Sequence, residues 1–483
     1  MALSSALFSG ISGLSSLGNA MQIIGDNIAN VNTVGFKGST FTFQDLLSQS
    51  ISTQSGTAQV GRGTALGDVA GVFEQGSFES TGNTTDLAIG GAGFFVLRES
   101  GTQNNFYTRA GNFRFNKDGY LVNPEGYIVQ GWRLDENGED VGSVTDIVLD
   151  SFTSPPRESS RVTVITNLDS DSDSQTATLS EAWNGSNSTL IDSGNYVYQT
   201  TVKVYDSLGS THDITIYYDK GSGSTWEYII TCDPSEDNRT ETDGSGNTPS
   251  GTAAAGLLAR GEITFNASSG QISNLTLENL DARSDGTTDW DDPDTYDWTA
   301  ASTNSNGYYE FIADFLGGTS TAMNIEFNIG TRDDGTGSFV NDSLTTTQFA
   351  SASTTTFQTA NGYGAGDLQG VDVDVDGVVT GVYSNGQLIP LFRVALAKFQ
   401  NNQGLKKVGG NLYRATRESG DAITNRPGTN GLGSIAPNSL EQSNVDIANE
   451  FVKMITTQRG FQANSKIITV TDQMLAELIN LKR

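Results

Sequence analysis

Read at alternating steps of four and three, the first 31 residues place Leu3, Leu7, Gly10, Leu14, Leu17, Met21, Ile24, Ile28 and Val31 on one line, and eight of these nine are apolar. That spacing is a coiled-coil seam rather than the broader apolar face of an ordinary surface helix. The other end of the chain repeats it. Ile447, Phe451, Met454, Gln458, Phe461, Ser465, Ile468, Asp472, Leu475 and Ile479 form a second line with seven apolar positions in ten. A supplementary row, Ile467, Val470, Met474, Leu478 and Leu481, widens the stripe near the end. Both termini are therefore predicted to be helices that need a helical partner. Gly10, Gly13, Gly18 and Gly25 weaken the first by about 1 kcal/mol each relative to alanine. The pattern predicts ends that are unfolded in the isolated chain and become ordered on assembly; the alternative is an antiparallel helical hairpin within one copy.

Between the seams the period changes from helical to two. The first helix should end between Asn30 and Gly35, where Asn30, Asn32, Thr33 and Gly35 supply turn and C-cap chemistry. Residues 36–70 read as an extended connector draped on a neighbouring subunit. From residue 71 short apolar runs, among them 94–97, 106–109, 120–122 and 127–129, alternate with turn clusters such as Asn116-Lys117-Asp118-Gly119. Regular hairpin spacing of this kind means a compact antiparallel domain. The same texture returns at 362–439, with Asp376-Gly377 and Asn385-Gly386 as two-residue turn signals. Residues 146–361 carry half-buried strands separated by polar, glycine-rich stretches, read as surface loops or an added subdomain. The chain is thus mainly β with terminal α-helices, a nested multidomain arrangement. Residues 1–35 with 440–483 form a helical coiled-coil core domain, 36–70 a connector, 71–145 with 362–439 an inner antiparallel β domain, and 146–361 an outer one. Ser443 is the expected N-cap of the second helix, with Asp446 in its first turn.

Composition changes this picture little but removes several functions. The formal net charge of −29 argues against nucleic acid or an anionic membrane surface as partner. A single cysteine, Cys232, excludes an internal disulfide framework, and a single histidine, His212, excludes a two-histidine zinc motif. No apolar run reaches the length of about 18 residues that a membrane helix needs. The N-terminus lacks a basic segment before its apolar positions, so no cleaved signal peptide is expected. Asp372, Asp374, Asp376 and Gly377 match the opening of a calcium loop, but Tyr383 stands where its bidentate glutamate belongs, and the alternation is that of a strand. Cys232 has acidic neighbours and reads as a small core residue. His212 lacks a second histidine or a placed nucleophile. Gly90, Gly91 and Gly93 open no dinucleotide-binding helix. No catalytic constellation, cofactor or metal site is expected.

Several segments carry a resemblance. Ser12-Gly13-Leu14 with residues 26–37, Asp26 to Lys37, resembles the flagellar rod and hook family. So do Phe73-Glu74-Gln75-Gly76 with 86–95, Tyr107-Thr108-Arg109-Ala110-Gly111-Asn112-Phe113, Ser443-Asn444-Val445-Asp446, and 458–466. Within that family, Tyr383-Ser384-Asn385-Gly386-Gln387 with Val394-Ala395-Leu396-Ala397 and the large central insertion resemble hook members more than rod members. The resemblance implies a non-enzymatic subunit exported unfolded through the flagellar type III apparatus and located in the extracellular flagellum. It would polymerise on the distal rod beneath a hook cap, meet the hook–filament junction proteins, and form a curved tube that passes torque as a universal joint. Its partners would be copies of itself and those axial proteins, without nucleic acid or membrane insertion. The alternatives are a distal rod protein or other axial protein and, from a different class, a surface adhesin. On this reading the fifteen large apolar seam residues are the assembly contacts: Leu3, Leu7, Leu14, Leu17, Met21, Ile24, Ile28, Val31, Ile447, Phe451, Met454, Phe461, Ile468, Leu475 and Ile479.

Overall fold

The computed structural model describes residues 2–53, 56–135, 137–175, 178–243, 245–281, 288–318 and 322–481. Its α-helices among these residues are α1 (Ala2–Ala29), a single turn α2 (Leu179–Ala182) and α3 (Ile447–Leu481). The rest is mostly strand. The chain divides into two compact units, Met1–Phe152 with Leu368–Arg483, and Thr153–Asp367. The expected boundaries at 146 and 361 fall a few residues before these crossings. The terminal helices share a unit with the inner β domain instead of standing apart from it.

In the first unit α1 runs antiparallel to α3, with Gly10 beside Ile468, Gly13 beside Asn464 and Gly460 beside Leu17. The two ends thus pair within one copy, which corrects the expectation that each waits for another copy before it finds any helical partner. After α1 the backbone turns at Asn30–Thr33, and Gly35 takes a left-handed φ of 69°. The expected connector doubles back as a long hairpin. β1 (Ser39–Asp45) pairs with β4 (Thr64–Gly71), and β2 (Gln49–Thr53) pairs with β3 (Gly56–Val60). The hairpin lies on α1. Ser16 Oγ donates to the Thr64 carbonyl at 3.1 Å, and Thr64 N–H donates to Ser12 Oγ at 3.2 Å. Gly63 makes that approach feasible, since a Cβ there would sit 1.9 Å from Ser12 Oγ.

At the start of α3 the cap is Asp446, not Ser443. Asp446 Oδ1 accepts from Ala448 N at 2.8 Å and Asn449 N at 3.2 Å, whereas Ser443 Oγ accepts from Val445 N, before the helix begins.

The β body of this unit runs in the order Val378–Tyr383, Leu388–Val394, Ile128–Leu134, Phe94–Arg98, Asn105–Thr108, Leu412–Arg414, Lys406–Gly409. It is packed on both faces, which explains the unbroken apolar run at 94–97. Phe95 and Leu97 enter one core with Leu87, Ile89, Phe113 and Val394. Phe94 and Val96 enter another with Tyr107, Ala397, Phe399 and Tyr413. Asp374 Oδ1 accepts from Asp376 N and Val378 N, so this acidic run closes the turn at Gly377. Among the described residues no three His, Cys, Asp or Glu side chains gather as a metal site.

Among the described residues the second unit holds a seven-stranded and a five-stranded sheet and a two-stranded ribbon, Thr331–Asp333 with Phe339–Asn341. Six of the strands of the seven-stranded sheet follow in the order Tyr198–Tyr205, Thr211–Lys220, Thr225–Thr231, Leu257–Phe265, Glu278–Asp281, Asp297–Ala300, all antiparallel. The five-stranded sheet departs from the all-antiparallel expectation. Its central strand Arg161–Asp169 is parallel to Met323–Asn328 and Thr347–Phe349 and antiparallel to Thr354–Ala360. The physical reason is burial. Val162 and the run 164–168 are inaccessible, as a strand flanked on both edges and covered on both faces requires. Val164, Ile214, Trp226, Tyr228, Phe311 and Phe327 pack into one core. A second core gathers Leu179, Trp183, Ile229, Leu257, Trp290 and Tyr296. The polar stretches read as loops or a subdomain thus anchor a packed layer of their own.

Candidate self-assembly surface and its anchor

The seam between α1 and α3 sets small residues of one helix against larger side chains of the other: Gly10 against Ile468, Gly13 against Asn464 and Gly460 against Leu17. Gly10, Gly13, Ser16, Ala20, Ile24 and Asn27 are the buried positions on α1. Glu450, Thr457 and Thr471 are buried on α3, with Met454, Gly460, Asn464, Ile468 and Leu475 half-buried. Of the residues singled out from the sequence, Ile24 is therefore buried. Leu7, Leu14, Leu17, Met21, Ile28, Val31, Met454, Ile468 and Leu475 are half-buried, and two of them enter the seam itself, Leu17 against Gly460 and Ile468 against Gly10. Ile447, Phe451 and Phe461 are exposed. The side chains of Leu3 and Ile479 lie outside the described residues. Sequence reasoning missed Phe8, Ile11, Val452 and Ile455, which also face outward; Phe8 is 69 % and Val452 60 % exposed. They lie one helical step from the predicted lines, where a strict four–three register does not look. Small residues let the two backbones approach, and other bulky apolar side chains are displaced to the outside of the pair.

At the root of the helices three of the motif segments, through Lys37, Gly76 and Arg109, converge on one carboxylate. Glu441 is fully buried. Its Oε1 accepts from Lys37 Nζ at 2.5 Å and from Gly76 N–H at 2.9 Å, and its Oε2 accepts from Arg109 Nη1 at 3.3 Å. Its own carbonyl accepts from Gly35 N–H at 2.7 Å. Lys37, also fully buried, donates to the Glu74 carbonyl at 2.8 Å. Arg109 Nη2 donates to the Gly91 carbonyl at 2.8 Å, and its guanidinium lies over the Phe94 ring. Burial pulls both the Lys37 ammonium and the Arg109 guanidinium below their usual ranges, and Glu441 opposes this in each case. Burial also raises the neighbouring Tyr413 phenol, to about 12.

A second polar knot lies beside it. Asn27 donates to the Ser39 carbonyl at 2.8 Å and to Glu450 Oε2 at 3.3 Å, and it accepts from Ser39 N–H at 2.9 Å. Asn444 donates to the Val72 carbonyl and accepts from Gly38 N–H. Helices, hairpin and β body are thereby tied by directional bonds where the chain crosses from stem to body.

The remaining candidate chemistry is structural. His212 places Nδ1 2.9 Å from Glu236 and Nε2 3.3 Å from Asp206, with its ring stacked 3.9 Å from that of Phe315. It joins elements of the second unit and has no nucleophile beside it among the described residues. Cys232 is buried in a core, and that burial pushes its thiol well above the usual range, which suppresses the reactive thiolate.

Four family models match in chain order: Flagella basal body rod protein over residues 7–37, Flagellar hook protein FlgE/F/G D1 domain over 88–167, Flagellar basal body protein FlaE D2 domain over 167–363, and Flagellar basal body rod FlgEFG protein C-terminal over 436–481. Similar curated proteins include the flagellar hook protein FlgE of Borreliella burgdorferi, 34 % identical with 99 % of each chain covered. That of Treponema pallidum is 33 % identical, again over 99 % of each, and that of Escherichia coli 29 % identical over 98 % of each. A crystal structure of Helicobacter pylori flagellar hook protein FlgE2 overlaps with a TM-score of 0.46 at 15 % identity, covering 75 % of this chain and all of that one. Identity of 34 % over 99 % of both chains leads to one statement: this chain belongs to the flagellar hook protein family.

Proposed function

We propose that the chain is the structural subunit of a flagellar hook, a self-assembling helical polymer that carries torque from rod to filament, and that the outward faces of α1 and α3 are its assembly contacts. The observation that carries this reading is the displacement of large apolar side chains to the outside of the helix pair. Phe8 and Ile11 stand exposed toward one end of the antiparallel pair, and Ile447, Phe451, Val452 and Ile455 toward the other, so large apolar side chains are left uncovered at both ends of the stem. Copies that meet through unlike faces at a rotation that does not close on itself form an open helical filament. The paired helices then serve as the core of the polymer, residues 71–145 with 362–439 as an inner shell, residues 146–361 as an outer one, and the hairpin at 36–70 as an arm to a neighbouring copy. Distal rod, cap and junction proteins would meet the same helix faces at the two ends of the polymer. The subunit would be exported through the flagellar apparatus to the extracellular flagellum. It performs no catalysis in this role.

The test is a double substitution, Phe451→Ser with Val452→Ser. Both side chains point away from the seam, so the unassembled chain should keep its circular-dichroism spectrum and melting temperature while polymerisation is lost. Polymers formed as readily as by the parent chain would refute the assignment of these faces.

A further inference from the structure

We infer that Glu441, Lys37 and Arg109 are positioning residues: together they form a clasp that sets how the helical stem is held on the β body of the same unit, and through that the shape of the polymer. The inference rests on the assembly reading above only for its last clause.

The argument begins with cost. Three ionised groups withdrawn from water lose hydration that their mutual attraction recovers only in part, and apolar side chains of similar volume often serve stability as well or better. What apolar contacts cannot supply is direction. The Glu441 carboxylate is fixed by Lys37 Nζ at 2.5 Å, Gly76 N–H at 2.9 Å and Arg109 Nη1 at 3.3 Å, while Lys37 and Arg109 are held in turn by the carbonyls of Glu74 and Gly91. Only two stretches of backbone join the helices to the β body, the one leaving α1 and the one entering α3. Lys37 sits on the first and Glu441 on the second. Arg109 sits on the body itself, after the strand Asn105–Thr108. The clasp therefore closes a triangle between both crossings and the body, and a twist of the stem must stretch charge-assisted bonds inside a dry site.

The position of the glycines agrees. A Cβ at Gly35 would stand 2.4 Å from Ala110 N, and one at Gly76 would stand 2.1 Å from the Gln442 carbonyl oxygen. The four segments, those of Gly35, Gly76, Ala110 and Gln442, are pressed together around the carboxylate with no room for a side chain at either glycine.

Two variants test this. Glu441→Asp keeps the charge and withdraws the carboxylate by about 1.5 Å. In the unassembled chain, amide hydrogen exchange should quicken at least about tenfold in residues 33–38 and 441–446 while the strand Phe94–Arg98 keeps its protection. Unchanged exchange at the crossings would overturn the proposal. So would equal loss of protection in the body strand, because the cluster would then be only a part of the body's fold. The triple variant K37M/R109M/E441M removes all the charges. It should fold and polymerise, and electron microscopy should show tubes whose curvature differs from that of the parent; tubes of parental curvature would overturn the proposal. Should the triple variant fail to fold, the Glu441→Asp exchange pattern alone decides. Because that pattern is read before assembly, its failure is separate from a failure of the helix faces to bind neighbours.

Discussion

At the scale of single residues, the most constrained positions are those where backbone meets backbone. Gly35 combines a left-handed φ of 69° with the close approach of Ala110. Gly35→Ala should therefore cost at least about 2 kcal/mol, of which about 1–2 comes from the left-handed conformation itself. Urea denaturation of the full chain measures it; a variant within about 0.5 kcal/mol of the parent would show that the crossing relaxes easily. The buried charges show why sequence reasoning passed them by. Lys37 and Glu441 are 404 residues apart, and Arg109 and Glu441 are 332 apart. Each stands alone in its local pattern as an ordinary polar residue. The segments of Lys37 and Arg109 were legible as motifs through the family resemblance, whereas Glu441 lies two residues before the segment that begins at Ser443, and only the fold brings the three together. His212 and Cys232, by contrast, were legible as structural from their neighbours in the chain, because reactive chemistry needs partners of a kind those stretches lack.

At the scale of elements, the helix pair separates two uses of the same periodicity. A four–three spacing marks which residues are apolar but not which face a partner within the copy takes. Here Gly10 and Gly13 of α1 and Gly460 of α3 take the close approaches, since a pair packed on small residues brings the helix axes closer, while Ser16 bonds the hairpin at Thr64. Gly13 and Gly18 make the distinction measurable. A Cβ at Gly13 would lie 2.8 Å from Asn464 Oδ1, whereas one at Gly18 meets nothing within 4 Å. Gly18→Ala should stabilise α1 by about 1 kcal/mol through helix propensity alone. Gly13→Leu should gain no such stability and should push α3 away. Helical ellipticity during thermal melting of the unassembled chain checks both, and a Gly13→Leu chain that melts above the parent would contradict the seam. The hairpin β1–β4 was missed for a related reason. Phe41 and Phe43 alternate with Thr40 and Thr42 in its first strand, but the Ser, Thr, Gln and Gly residues that follow carry no such period, and its pairing is supported by Ser12 and Ser16 of α1.

At the scale of the whole molecule, charge is distributed unequally. The unit Thr153–Asp367 contains 31 acidic and 8 basic side chains, so it carries −23 of the −29 total. In a polymer where such units are neighbours they repel one another, and assembly should depend on screening. The Debye length falls from about 30 Å at 0.01 M salt to about 8 Å at 0.15 M. The subunit concentration needed for polymerisation should fall several-fold over that range, as sedimentation of polymer at fixed pH would report. A concentration that rises with salt would mean that attractive ion pairs, not repulsion, dominate between copies. The first unit, with only −6 spread over its residues, contributes little to this effect.

The amino-acid sequence by itself determined the helices at both ends, the β texture between them and the hairpin turns at Gly377 and Gly386. These are properties of local periodicity and turn chemistry, which act over a few residues and can be read there. The tertiary structure alone decided which side of each helix is spent within the copy and which is left outward. It also decided that the segment after α1 folds back on that helix, and that Lys37, Arg109 and Glu441 meet. Those outcomes depend on shape and burial between residues hundreds of positions apart, and no local pattern records them.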